Sequence, residues 1–146
     1  MPRTKIDRAA IDAQLAAIGR EPYDGPDTPE ALGLACIEAA LAACDLGVEP
    51  ARPVIRGAVR HLLDRLVAQA PGKSVEVRIP PYAAVQCVEG PRHTRGTPPN
   101  LIEMDAGTWI RLAAGRLTWA DALYAGSVRA SGARADLSGL MPLIQA

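Results

Sequence analysis

The chain has 146 residues, with 16 basic and 16 acidic side chains and a formal net charge of zero. That length suits one compact domain, or one domain carrying a helical extension. A hydrophobic content of 49% excludes disorder as a whole-chain description, and the absence of any Lys and Arg excess argues against nucleic acid as a partner. The apolar residues are of an unusual kind: 27 alanines, no phenylalanine, and five aromatics, Tyr23, Tyr82, Trp109, Trp119 and Tyr124. A core of Ala, Leu and Val gains less buried area per residue than one built on Phe. Either the elements pack closely, or the interior is incompletely filled by side chains.

The first half reads as helix. Residues 4–18 place Ile11, Leu15 and Ile18 at i, i+4 and i+7. Residues 19–27, with two glycines and two prolines, read as a linker. Thr28, Pro29 and Glu30 then form a start signal: a hydroxyl cap, a proline in the first turn and an acid beside it. The helix that follows carries Leu34, Ile37, Leu41 and Cys44 on one side and ends at Gly47. A third helix begins near Pro53, and Ile55, Val59, Leu62, Leu63, Leu66 and Val67 give it a stripe wide enough to cover a sheet. Ala70, Pro71 and Gly72 stop it.

The period then changes to two. Residues 74–79 alternate as a half-buried strand should, until Pro80 and Pro81 end the ladder. A second strand is expected over 83–88, a long Gly/Pro-rich connection over 89–100, and a short third strand over 101–104. Asp105 caps a helix containing Trp109 and Leu112, which Gly115 closes. Residues 118–123 form another short helix, 127–131 a fourth strand, and a last helix runs from about Asp136 with Leu137, Leu140, Met141 and Ile144 inward. Helices first, then mixed strands and helices, imply an α+β fold rather than a doubly wound one.

No run approaches the roughly 20 apolar residues of a membrane span, so no transmembrane segment is expected. Asp7, Arg8 and Asp12 interrupt any secretory apolar region. Cys36, Cys44 and Cys87 are odd in number and lack CxxC spacing, so buried reduced thiols and a cytoplasmic location are expected. There is no P-loop, dinucleotide fingerprint, HExxH motif or nucleophile elbow. The two histidines, His61 and His93, lack the short ligand spacing of a structural metal site, and no cofactor is implied. His61 lies on the polar flank of the third helix and reads as surface. Glu76, Glu89 and Glu103 could converge as paired carboxylates, but strand acids that alternate with apolar residues ordinarily face solvent.

One dense polar cluster stands out, Arg92, His93, Thr94 and Arg95, hinged by Gly90 and Gly96. Two guanidinium groups, an imidazole and a hydroxyl suit an anion such as a carboxylate or phosphate. A solvated connection stiffened by prolines is the plainer reading of the same residues. Trp109 and Trp119 are similarly divided between core filling and the wall of a pocket.

From Asp105 onward the chain resembles the sterol carrier protein family, in its small bacterial, actinobacterial-type branch. The residues that carry the likeness are the Asp105 cap, Trp109 six residues before Gly115, Gly126 eleven further on, Gly132 six beyond that, and the closing amphipathic segment. The run from Cys87 to Asn100 extends the likeness upstream. The resemblance implies a mostly antiparallel sheet of four to five strands covered on one face by helices, with an apolar tunnel between them. Trp109, Leu112, Leu117, Trp119, Leu123, Leu140 and Leu143 fall where such a tunnel would be lined. Residues 1–50 have no counterpart in the family and form an N-terminal helical extension of two helices, with the sterol-carrier-like domain at 51–146. The family's eukaryotic members end in a peroxisomal address that is absent from Leu143-Ile144-Gln145-Ala146.

The implied function is a non-enzymatic carrier or binding protein for a hydrophobic or amphiphilic small molecule: a lipid, fatty acyl chain or sterol. Arg92, His93 and Arg95 would read its acidic head group. The alternative is an interaction or homodimerisation module with a filled core and no ligand. Thiol-dependent isomerases with a sterol-carrier-like C-terminal domain hold a metal in a histidine-bearing helical bundle, whereas the first 60 residues here contain no histidine. No enzymatic activity is expected.

Overall fold

Side-chain oxygens placed one residue ahead of helical runs set where the helices start. In the computed structural model, which describes residues 5–90 and 100–145, Asp7, Thr28, Asp105 and Thr118 each accept a backbone N–H from the first turn of the helix they precede. The helices are α1 (Arg8–Ala17), α2 (Pro29–Asp45), α3 (Arg52–Gln69), α4 (Ala106–Ala113) and α5 (Trp119–Tyr124). The strands are β1 (Val75–Ile79), β2 (Ala83–Cys87), β3 (Asn100–Met104) and β4 (Val128–Ser131). The chain divides into two compact units, Met1–His61 and Leu62–Ala146, with the division inside α3.

In the first unit α2 is buried on nearly every side. Leu32, Ala35, Cys36, Ile37, Ala39, Ala40, Leu41, Ala42 and Ala43 are all buried, and between Ala31 and Ala43 Glu38 is the one exposed residue. The single stripe expected from Leu34, Ile37, Leu41 and Cys44 is therefore too narrow. Leu34 is only half-buried and Cys44 is exposed, because a helix whose alanines fill the gaps between its leucines has no polar side to turn outward.

The stretch over 19–27 is also more than a linker. The Arg8 guanidinium donates to the Tyr23 and Gly25 carbonyls and to Asp27, and lies 4.7 Å from the Tyr23 ring centroid. Asp12, one turn along α1, accepts the Tyr23 N–H at 2.9 Å. Hydrogen bonding to Asp27 raises the Arg8 pKa further. Between α1 and the start of α3, the buried Gln14 amide oxygen accepts the Ala51 N–H.

The second unit is built on a mixed four-stranded sheet of order β2-β1-β3-β4. Two of its three pairings are antiparallel, β1 with β2 and β3 with β4, while β1 and β3 run parallel. The parallel pair follows from chain length: the path from Ile79 through β2 to Asn100 is long enough for a crossover, which a parallel neighbour requires. Alternation puts Val75, Val77, Ile79, Ile102 and Met104 on one buried face. The opposite face carries Glu76, Arg78, Glu103 and Arg129, which pair as Glu76 with Arg78 and Glu103 with Arg129.

The last expected helix does not form. Residues 138–140 make one 3-10 turn, Met141 is extended, and the Met141–Pro142 peptide is cis. Pro142 lacks an N–H and disfavours helical geometry at the residue before it, so an apolar period that continues through Ile144 has no helix to support. Leu143 and Ile144 instead both donate to the Ala113 carbonyl at the end of α4, at 2.8 and 3.1 Å.

Candidate functional site

The second unit joins an apolar interior to a polar rim at one end of its sheet. Asp105 starts α4 directly after β3 by accepting the Thr108 N–H. That registers Trp109, Leu112 and Ala113 inward, all with no exposed surface, while Arg111 points out. Trp119, one residue past the Thr118 cap, is buried, as is Leu143. Leu117 and Leu140 are half-buried. Leu123 is 43% exposed and its neighbour Tyr124 is 96% exposed, so the second turn of α5 presents these two side chains to solvent. The backbone bonds of Leu143 and Ile144 to Ala113, with the Arg65 guanidinium 3.4 Å from the Leu143 carbonyl, bring the 141–145 segment to the end of α4 that bears Leu112.

Arg92, His93, Thr94 and Arg95 lie outside the described residues. The positions where that connection leaves and rejoins the sheet are described, and both are tied into one hydrogen-bonded group. Val88, just after β2, has φ +63°, a left-handed conformation unusual for a β-branched residue. Its N–H donates to the Ala70 carbonyl at 2.7 Å, and its carbonyl accepts from Ser74 twice, from N at 3.1 Å and from Oγ at 2.6 Å. Gly72 (φ +150°) packs so closely there that a Cβ would sit 2.2 Å from the Val88 carbonyl carbon and oxygen. At the other end Asn100 opens β3 with its side chain buried. Its Nδ2 donates to the Ser74 carbonyl at 2.8 Å and its Oδ1 accepts the Arg134 N–H at 2.9 Å. Sequence reasoning passed over Ser74 and Asn100 as a pair; the available signal was a polar residue at the buried-face position that opens β3, in phase with Ile102 and Met104.

The remaining polar groups fall elsewhere. Glu76 and Glu103 face outward, each against an arginine, and Glu89 is exposed, so the three do not form a carboxylate pair. Among the described residues no group of three or more His, Cys, Asp or Glu is arranged to hold a metal. His61 is not a surface residue: its side chain is 11% exposed, with Nε2 3.5 Å from Glu30. A Cβ on Gly33 of α2 would stand 2.3 Å from its Nδ1, so the imidazole occupies a notch that only glycine leaves open. Burial raises the Cys87 thiol to about 11 and the Cys36 thiol to about 12. Across the described residues no Asp, Glu, Lys, Arg or His is fully buried; the buried polar side chains are Gln14, Ser74, Asn100 and Thr108. No described helix is long and apolar enough to cross a membrane.

Compared with known families, residues 51–143, more than half of the chain, match the family described as bacterial SCP ortholog. No curated protein matches the chain.

Proposed function

The chain belongs to this family of bacterial sterol carrier orthologues, and from that premise we propose that it is a non-enzymatic, cytoplasmic carrier of a hydrophobic or amphiphilic small molecule. The observation that carries the reading is the make-up of the second unit, which falls within the matched region. One sheet face of Val, Ile and Met and a helix presenting Trp109 and Leu112 offer apolar contact, with polar side chains gathered at the rim formed by Ser74 and Asn100. An acyl chain or sterol gains about 25 cal/mol per Å² by leaving water for such surroundings. Trp109, Leu112, Leu117, Trp119, Leu140 and Leu143 are the proposed lining, with the exposed Leu123 at its edge. Arg92, His93, Thr94 and Arg95 are proposed to read an acidic head group, since charge-assisted bonds from guanidinium to carboxylate are strong and directional.

Titration of delipidated protein with the fluorescent fatty acid cis-parinaric acid tests the proposal. The expected result is saturation at one equivalent, with energy transfer from the buried indoles. Failure of saturation with this probe and with several other lipids overturns it. A second reading, an interaction or homodimerisation module with a filled core, draws support from the complete burial of Trp109 and Leu112. It predicts no saturable lipid binding and a solution mass that depends on residues 1–50.

A further inference from the structure

We propose that the solvent ridge of α3 over Arg52, Arg56 and Arg60 is a docking surface for an acidic helix of another protein. The inference concerns the first unit and stands apart from the lipid reading of the second.

The first half of α3 is buried over most of its circumference. Between Arg52 and His61 the helix exposes only Arg52, Pro53, Arg56 and Arg60, while Val54, Ile55, Ala58 and Val59 are buried. A spacing of four residues sets the three arginines in one row along the helix. They stand about 6 Å apart in rise, about 12 Å from first to last. No acid lies in the first turn of the helix. Among the described residues, none of the three guanidinium groups has an ion-pair or hydrogen-bond partner. Arg8 in the same unit shows the contrast, held by Asp27 and by the Tyr23 and Gly25 carbonyls. Glu38 and Glu49, exposed acids of this unit, form no ion pair with the row.

The fold itself does not call for such a row. Like charges four apart on a helix repel, and a cation in the first turn opposes the helix dipole. A face kept only for solubility ordinarily mixes the two signs. The make-up of the row then selects its partner. A helix that binds a bilayer inserts an apolar face, and the apolar side of α3 is already buried. Single-stranded nucleic acid is held by aromatic platforms, and residues 52–61 contain no Phe, Tyr or Trp. A duplex is held through more phosphate contacts than three side chains supply. A row of carboxylates fits on both counts that matter. Each guanidinium is a planar fork that pairs with a carboxylate through two bonds, and a helix with an acid at every fourth position repeats at the same step as α3.

The test titrates the full chain, at low ionic strength, with a short alanine-based helical peptide carrying glutamate at every fourth position. NMR of the arginine Nε–Hε signals reads the site. Shifts are expected at Arg52, Arg56 and Arg60, with affinity about tenfold above that for an isomer whose glutamates are scattered round the helix. Combining Arg52→Gln, Arg56→Gln and Arg60→Gln should abolish that difference and leave the urea midpoint unchanged. Arg56→Glu alone should abolish it too, and a peptide with lysine in place of its central glutamate should restore binding to that variant. No saturable shift, equal affinity for the two peptides, shifts confined to other arginines, or no rescue by the lysine peptide overturns the proposal. A lower urea midpoint in the triple variant also overturns it, by giving the arginines a structural role. Tighter binding to phosphatidylglycerol vesicles or to duplex DNA, lost in the triple variant, does the same. So does a solution mass of twice the chain that the triple variant halves, which would make the occupant a second copy.

Discussion

The two units reach a buried interior by different means. In Met1–His61 the centre is α2, half of whose ten buried residues are alanine. In Leu62–Ala146 it is a ladder of β-branched and aliphatic side chains beside a buried tryptophan. Alanine allows helices to approach closely but contributes little transfer energy and almost no shape. The first unit therefore depends on polar fittings to choose one packing: the Arg8 grip on residues 23–27, the Gln14 bond to Ala51, and the imidazole of His61 in the notch at Gly33. The second unit gains its shape from large side chains and its register from strand pairing, and confines polar fittings to the rim at Ser74 and Asn100.

If large side chains carry the second unit, truncating its largest should be the most damaging single change in the molecule. Trp109 is wholly inaccessible, and Trp109→Ala should cost about 3–5 kcal/mol, read from urea denaturation. A loss no greater than that from Gly33→Ala in the first unit would remove the contrast between the two interiors.

The buried thiols, one in each unit, test the interiors under a common perturbation. Cys36 and Cys87 have folded pKa values of about 12 and about 11, raised by burial from 9.0. For an acid raised on folding, the unfolded chain loses its proton first as pH rises. Stability is thus fully present below pH 9 and falls above it. Each thiol contributes a slope of about 1.4 kcal/mol per pH unit from 9 until its own folded value is reached. Between about pH 9.5 and 11 both contribute, and Cys36→Ala or Cys87→Ala should each remove half of their combined slope. Above pH 11 only Cys36 should still matter. A slope untouched by either substitution would mean that neither thiol is shielded from solvent.

Much of this organisation was legible because it is local. Thr28 with Pro29, Asp105 and Thr118 announce their helices within three residues, and the alternation of Val75, Val77 and Ile79 names the buried sheet face directly. The glycine and tryptophan spacings after Asp105 carried the family, now matched over residues 51–143. What escaped was set at long range. The Arg8 grip joins residues up to 19 apart in sequence, and no local pattern marks it. His61 is buried by a glycine 28 positions earlier. The all-round burial of α2 leaves no moment to detect, and at the other end of the chain the apolar period runs on through Pro142 although the backbone cannot follow it. The proposed head-group residues 92–95 lie outside the described residues, and the Asn100 amide bond to the Ser74 carbonyl joins positions 26 apart that no local pattern links.

The notch at Gly33 offers a comparison in which the sign itself reverses. Gly33→Ala should gain about 1 kcal/mol of helix propensity, yet its Cβ would stand 2.3 Å from His61 Nδ1. Forcing the ring out should cost about 1–3 kcal/mol and separate Nε2 from Glu30, leaving a net loss. In a His61→Ala background the three nearest contacts of that Cβ are gone, and the same substitution should stabilise. Additive behaviour in this double-mutant cycle would show that the imidazole does not sit against α2.

The smallest effect concerns where the cover over α2 stops. Cys36 and Cys44 lie eight residues apart on one helix, and the first is buried while the second is exposed. A disulfide reagent attacks the thiolate, and at pH 8 a thiol with a pKa of about 11 or 12 is ionised in about one molecule in a thousand or fewer. Native protein should therefore take up one equivalent of Ellman's reagent rapidly, at Cys44, and the other two only in denaturant. Labelling Cys44 should leave stability almost unchanged, because its side chain adds nothing to the alanine-filled interior. Rapid loss of a second thiol would place an opening in one of the two units, and Cys36→Ala against Cys87→Ala would say which. Reaction at Cys36 would mean that small-residue packing alone does not keep α2 closed; reaction at Cys87 would place the opening at the end of β2, one residue before Val88.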